Sequence, residues 1–488
     1  MTRTRAGLAA SGSINLAAGV VGAVVNLVVA LVVGQVLGPA GAGVYFLVVG
    51  AATIAANVGE LGADTGLVRF VSAARAVDRP QDVSVLVRAA LPPVVAAGLL
   101  VAVAGAGLSF VVDVPWWALA IVSVAAGMLA VTAVLLALTR GFADAITYPV
   151  LQSVVVPWGR AAGVLVVAAA GGGSAAMLVA WAVPVPVVLA VAALATARHL
   201  AAARRQAEGR PAEPGQSRAL WRFSAVRGVA AAVEIMLEWV DVLLVGALAG
   251  PAAAGVYAVV TRCVRASEVV QQAARVVVGP AVSGAFARRD LPTVARLQEL
   301  VTAAMIWMSW PFFLVLAVFG DVVLSWFGPG FADGHAALVV LCAALALQTA
   351  AGAVQTVLLM AGRSTWQLYD KLGALVLMVV LDVALVPSWG VTGAAVAWAF
   401  TIVLDTAVVT WQVRRWIGVR ASLARPGVAA LSTLVVVGLP ALLAREVLGA
   451  SGPVLAAALA LLGLAHLASG WLLRRRLGLP DLLAARAD

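Results

Sequence analysis

Fourteen apolar runs, each close to the length that crosses a bilayer, follow one another along the 488 residues and leave room for little else. They lie near 13–36, 43–62, 89–112, 117–139, 149–170, 175–197, 223–248, 254–284, 300–320, 335–361, 371–386, 392–412, 426–444 and 453–473. A helix rising about 1.5 Å per residue needs about 20 apolar residues to span the hydrocarbon. In that medium each backbone amide must bond within its own segment, so helices are the expected solution. Hydrophobic residues make up 63% of the chain and charged residues 11%, which excludes an ordinary soluble protein. The first run continues past Val25 and reads as a span rather than a cleaved signal.

The basic residues test this division. With the N-terminus inside, 27 of the 32 arginines and lysines fall on the cytoplasmic side, and Arg445 alone falls outside. That is the positive-inside bias, and it places both termini in the cytoplasm. The net charge of +10 then describes a rim facing anionic lipid headgroups, and nucleic acid is not needed as a partner. External connections are short, the longest running from Gly320 to Gly334, and the one clear linker is Arg198 to Arg222. The expected organisation is an N-lobe over 1–200 with spans 1–6, a cytoplasmic linker over 201–222, a C-lobe over 223–412 with spans 7–12, and 413–488 holding spans 13 and 14 and a cytoplasmic tail.

The segment LVVGQVLGPAGAGVY at Leu31 returns 212 positions later as LLVGALAGPAAAGVY at Leu243, identical at ten of fifteen positions. An offset of six spans gives both copies one orientation, so two halves related by an axis along the membrane normal are expected, as in many transporters. A weaker echo links GGGSAAMLVAWAV at Gly171 with WGVTGAAVAWAF at Trp389. Spans 13 and 14 have no counterpart in the repeat.

Four arginines fall inside spans: Arg160 in span 5, and Arg262, Arg265 and Arg275 in span 8. An ionisable group at mid-bilayer costs roughly 2.5–3.5 kcal/mol on insertion scales, so these should face protein or water. Span 7 carries Glu234, Glu238 and Asp241 within about 60° of arc, one stripe on one face. Span 8 repeats the arrangement with Arg265, Glu268, Gln272 and Arg275. In a hairpin about Pro251, Asp241 lies level with Arg262, Glu238 with Arg265, and Glu234 with Glu268. The first two pairings leave two readings open, ion pairs that fix register or charges that line a cavity. Two carboxylates at one depth invite a proton or cation, so Glu234 and Glu268 point to ion coupling. Asp382 and Asp405 are candidate cavity acids, whereas Glu60 and Asp64 are expected at the cytoplasmic rim beside Arg69.

His199, His335 and His466 are isolated, and Cys263 and Cys342 fall in apolar runs, so neither a metal site, a cofactor nor a disulfide is expected. No phosphate-cradling GxxxxGK[ST] occurs, and no external catalytic domain is present, so no catalytic residue is assigned and an enzyme is not expected.

The Gly-Pro repeat, LSWFGPGFADG from Leu324 and the run from Met360 to Phe400 resemble the polysaccharide-exporter (Wzx-type) branch of the MOP superfamily, which also holds MATE exporters and MurJ-like flippases. ELGADTGLVRFVS from Glu60 adds to the likeness. The resemblance implies an all-α polytopic fold of two six-helix lobes around a central cavity, with two appended helices that help to form a groove for a lipid tail. It implies a flippase in the bacterial cytoplasmic membrane, working as a monomeric unit by alternating access. Its substrate would be a polyprenyl-pyrophosphate-linked saccharide destined for surface polysaccharide. Arg262, Arg265, Arg275 and Arg160 would meet the pyrophosphate, while Glu234, Glu238, Asp241, Glu268 and Asp382 would serve as ion-coupling or cavity acids for H⁺ or Na⁺. The alternative is a MATE-like exporter of organic cations driven by H⁺ or Na⁺.

Overall fold

Every regular element among the described residues is helical. The computed structural model describes residues 2–107, 114–144, 146–207 and 211–478, with the side chains of 2–20, 23, 269, 273 and 275–277 outside the described set. In chain order the elements are α1 (Thr2–Gly59), α2 (Ala63–Ala76), α3 (Pro80–Gly107), α4 (Trp116–Gly141), α5 (Thr147–Ala169), α6 (Ser174–Gln206) and α7 (Gln216–Arg265). They continue as α8 (Glu268–Ala287), α9 (Leu291–Ser325), α10 (His335–Ala350), α11 (Val354–Met360), α12 (Ser364–Ile417), α13 (Ala424–Leu448) and α14 (Gly452–Leu477).

Among the described residues, eleven stretches are long and apolar enough to cross a membrane. Three of them contain a kink at a single glycine: Gly38 in α1, Gly250 in α7 and Gly390 in α12. Read as two legs each, these bring the count to the fourteen expected spans. Gly38 (φ 64, ψ −178) and Gly250 (φ 86, ψ 170) are equivalent positions of the repeat, each followed by a proline. Nothing lies within 4 Å of a Cβ built at either, so glycine is required by the dihedral rather than by space. The proline after it loses nothing, because the first turn of the new leg has no amide acceptor to lose.

The chain forms two compact units, Met1–Leu243 and Leu244–Asp488. In the first, a core of Leu67, Leu86, Val134, Leu136 and Leu220 joins α2, α3 and α4 to the start of α7. The approach is close. A Cβ on Gly62 would lie 2.3 Å from the Ser224 carbonyl oxygen, and one on Gly50 would lie 2.6 Å from the Trp239 ring. In the second unit, Val282, Val301, Val357 and Val409 knit α8, α9, α11 and α12. There α13 and α14 pack on α9 through Val437, Leu455, Val315 and Phe319. Leu99, Leu100 and Val103 of α3 and Leu461, Leu464 and Leu472 of α14 stay exposed, as side chains facing lipid should.

Several hydroxyls are satisfied within their own helix. Threonines 53, 132, 302, 401, 410 and 433 each donate to the carbonyl four residues back, the usual way to satisfy a hydroxyl without water. Asp290 caps α9 by accepting from the Thr293 amide at 3.1 Å. In the α4–α5 connection, burial opposes the charge on Asp144. Hydrogen bonds from Thr147, the Ile146 amide and His199 outweigh it and hold the carboxyl at about 2.

Candidate functional site

Arginine in an apolar helix needs something to replace water, and each unit supplies the same partner. In the first, Arg160 of α5 stacks over the Trp181 ring at 4.2 Å and donates from Nε to the Trp181 carbonyl at 3.2 Å. In the second, Arg265 at the end of α7 lies 5.4 Å from the Trp398 ring centroid. Trp181 and Trp398 are the tryptophans of the two Ala-Trp-Ala echoes, 3% and 8% exposed. A desolvated cation over an indole face gains about 2 kcal/mol, enough to offset much of the insertion cost. Arg262, one turn before Arg265, donates from Nη1 to the Ala258 carbonyl at 2.9 Å. Arg275 lies on α8, and its side chain falls outside the described residues.

The acids divide by environment. Asp241 is fully buried and accepts from the Val242 amide at 2.7 Å, whereas Glu234 and Glu238 are exposed. Glu234 stands 3.6 Å from Arg227, a partner on its own helix that the depth argument had not named. Glu268 opens α8 and is exposed, and Asp382 is fully buried in the first leg of α12. Arg69 does not neutralise Glu60 or Asp64 through any recorded ion pair; its guanidinium lies 4.5 Å from the Phe223 ring.

Three features of the second unit were not visible in the sequence. Lys371 reaches Asp405 at 2.8 Å, and Gln355 of α11 donates to the same carboxylate oxygen at 3.0 Å. This fixes both legs of α12 to α11. Spacing gave no hint, because the partners are far apart in sequence and on separate helical segments. Next, an apolar groove of about 460 Å³ lies among α9, α13 and α14, walled by Phe312, Val315, Leu455 and Leu459, with His466 at one side. His466 is held by the Trp307 carbonyl at 2.9 Å and stacked on the Trp307 ring at 4.6 Å. Finally, Trp366 in the first turn of α12 meets Trp411 and Trp416 at its end, with Trp416 edge-on to the other two at 4.8 and 4.5 Å.

Residues 8–286 match the model of a family described as polysaccharide biosynthesis protein. No curated protein sequence matches. Among solved structures the chain is similar to an inward-facing multidrug resistance transporter of the MATE family, with a TM-score of 0.66 and 13% identity over 81% of this chain and 94% of that one. It is similar to the lipid II flippase MurJ in an inward closed conformation, with a TM-score of 0.67 and 9% identity over 94% of this chain and 98% of that one. A MOP superfamily transporter from Pyrococcus furiosus gives a TM-score of 0.57 at 14% identity over 84% and 95%. At such identities the likeness is one of fold.

Proposed function

Since the chain belongs to the polysaccharide biosynthesis protein family and has the fold of the MOP transporters, we propose that it is a flippase for a polyprenyl-pyrophosphate-linked saccharide. The observation that carries the reading is the pair Arg262 and Arg265, retained in an apolar leg just before the break that separates α7 from α8. A pyrophosphate entering a membrane must exchange water for fixed cations and hydrogen-bond donors, and guanidinium supplies both. Arg265 also lies 5.4 Å from the Trp398 ring centroid, a contact that offsets part of its desolvation. Arg160, bound to the Trp181 ring and carbonyl, serves the fold of its own unit, and Arg275 is assigned to the substrate with Arg262 and Arg265.

The tail needs a different surface. The groove among α9, α13 and α14 is apolar, and α13 and α14 are the two spans that the repeat does not explain. An isoprenoid chain lying there would stay in hydrocarbon while its headgroup crossed. The six-span lobes would open alternately to either side. Glu234, Glu238, Asp241, Glu268 and Asp382 would couple that motion to H⁺ or Na⁺. The protein would work as a monomer in the cell membrane with both termini in the cytoplasm, and it would do no covalent chemistry.

The test is protection of a lipid-linked sugar from an external modifying enzyme in proteoliposomes. Wild type should deliver the sugar across the bilayer, and Arg265→Ala should slow delivery without loss of folded protein. Full delivery by folded Arg265→Ala would remove that residue from the headgroup path.

A further inference from the structure

Two cavities of the second unit share lining residues near the C-terminal end of α12, and neither belongs to the charged stretch described above. One is a groove of about 450 Å³ between α10 and the second leg of α12, lined by Gln348, Thr406, Thr410, Trp411 and Arg414 among apolar neighbours. The other is a pocket of about 40 Å³ lined by Gln298, Thr410 and Arg414. Thr410 and Arg414 are common to both. The groove falls in the size range of small-molecule sites.

The chemistry of the lining is selective. Neither cavity is lined by an acid, and among the described residues Arg414 has no hydrogen-bond or ion-pair partner. Gln298 is 7% exposed, and its Oε1 has no hydrogen-bond partner, so a buried acceptor lines the smaller pocket unused. A buried acceptor without a donor costs free energy, which a ligand hydroxyl would recover. Trp411 is 53% exposed, yet its ring is braced by Trp416, itself in contact with Trp366. Over Val413–Ile417 the helix takes the wider π form, an arrangement that recurs at functional sites. Interfacial anchoring would explain a tryptophan beside an arginine. It does not explain a buried, unused amide oxygen beside them.

We propose that the Gln298, Thr410, Trp411 and Arg414 cluster is a receiving site for a phosphorylated saccharide headgroup. Arg414 takes the phosphate, the Trp411 face takes a sugar ring, and Gln298 Oε1 accepts from a sugar hydroxyl. This rests on the flippase reading and adds to it a first station on the side where the arginine bias puts Arg414. Gln271 of α8 donates to Gln348 of the groove wall at 3.4 Å, so the helix that follows Arg265 is tied to that wall.

The experiment is equilibrium binding to the full chain in nanodiscs of neutral lipid. The probes are a citronellyl-pyrophosphate-linked hexose, citronellyl pyrophosphate itself, and phosphatidylglycerol as competitor. Arg414→Ala should weaken both pyrophosphates roughly 10- to 100-fold, the span expected for one charge-assisted hydrogen bond, and Arg414→Lys should recover part of it. Trp411→Ala should weaken only the sugar-bearing probe, and Trp411→Phe should restore it. Wild-type affinity in Arg414→Ala and Trp411→Ala would overturn the site while leaving the flippase reading intact. Equal loss of both probes in Trp411→Ala, unrescued by Phe, would reduce Trp411 to a packing role and overturn the saccharide assignment. Displacement by phosphatidylglycerol at equal concentration would make the cluster an anionic-lipid contact and overturn it as well. Binding of neither pyrophosphate by wild type would overturn the inference together with the reading beneath it.

Discussion

Gly38 and Gly250 occupy equivalent places in a duplicated turn, and both combine a positive φ with ψ near 180°. The legs that follow them end differently. After Pro39 the helix runs to Gly59 and stops at a break where Leu61 (φ 54) and Gly62 (φ 69) both take left-handed dihedrals. That break is clamped backbone to backbone: a Cβ on Gly228 would lie 2.9 Å from the Leu61 carbonyl carbon. After Pro251 the helix stops at Arg265, and the break separates two arginines from Glu268. The first copy clamps its break backbone to backbone, with the acids Glu60 and Asp64 at it; the second sets two arginines before its break and Glu268 after it. The part that both copies keep is what a turn between two spans requires. The part that differs is where a function can be lodged without disturbing the turn.

The comparison breaks most visibly at Gly62. Alanine there meets the Ser224 carbonyl oxygen in a left-handed backbone position, so Gly62→Ala should cost about 3 kcal/mol or more and sharply reduce folded protein. Thermal unfolding in detergent reads this, and an unchanged midpoint would remove the clamp from the account. Next comes Arg265→Ala, which should lower the flipping rate by about 100-fold with the protein still folded. Arg160→Met should instead cost stability, about 2 kcal/mol, while flipping per folded molecule persists. The opposite assignment of the two losses would exchange the roles of the two arginine–tryptophan pairs.

Gly38→Ala and Gly250→Ala sharpen the likeness instead. Each forces alanine into a glycine-only region with open space around it, so each should cost about 1–3 kcal/mol and by similar amounts. A large difference between them would mean that the duplicated turns are not mechanically equivalent. The smallest effect is at Asp144, whose carboxyl falls from 3.8 to about 2 in the folded chain. Its hydrogen bonds therefore stabilise fully above pH about 4 and are lost as pH falls towards 2. The melting-temperature gap between wild type and Asp144→Asn should narrow over that interval, and a constant gap would deny Asp144 this part.

The fourteen spans, the Gly-Pro turns and the arginine bias were legible because a bilayer imposes length, bonding and charge rules that act along the chain. Partners were less legible. The stripe of Glu234, Glu238 and Asp241 followed from helical spacing, but its members differ in burial, and Arg227 reaches Glu234 from two turns away on the same helix. Arg69 sits beside acids in sequence but over Phe223 in space. Lys371 reaches Asp405 from the other leg of a kinked helix, and Arg414 gains its meaning from Gln298 on α9. The contacts of Arg69, Lys371 and Arg414 need tertiary packing, which neither periodicity nor composition contains, whereas Arg227 and Glu234 share one helix face at i, i+7.

The central claim is tested most directly by reconstituting the full chain in proteoliposomes and following a polyprenyl-pyrophosphate-linked sugar, with and without a pH or Na⁺ gradient. The account predicts protein-dependent flipping that falls with substitution at Arg262 and Arg265. Absence of flipping with several such lipids, together with gradient-driven movement of organic cations, would contradict it.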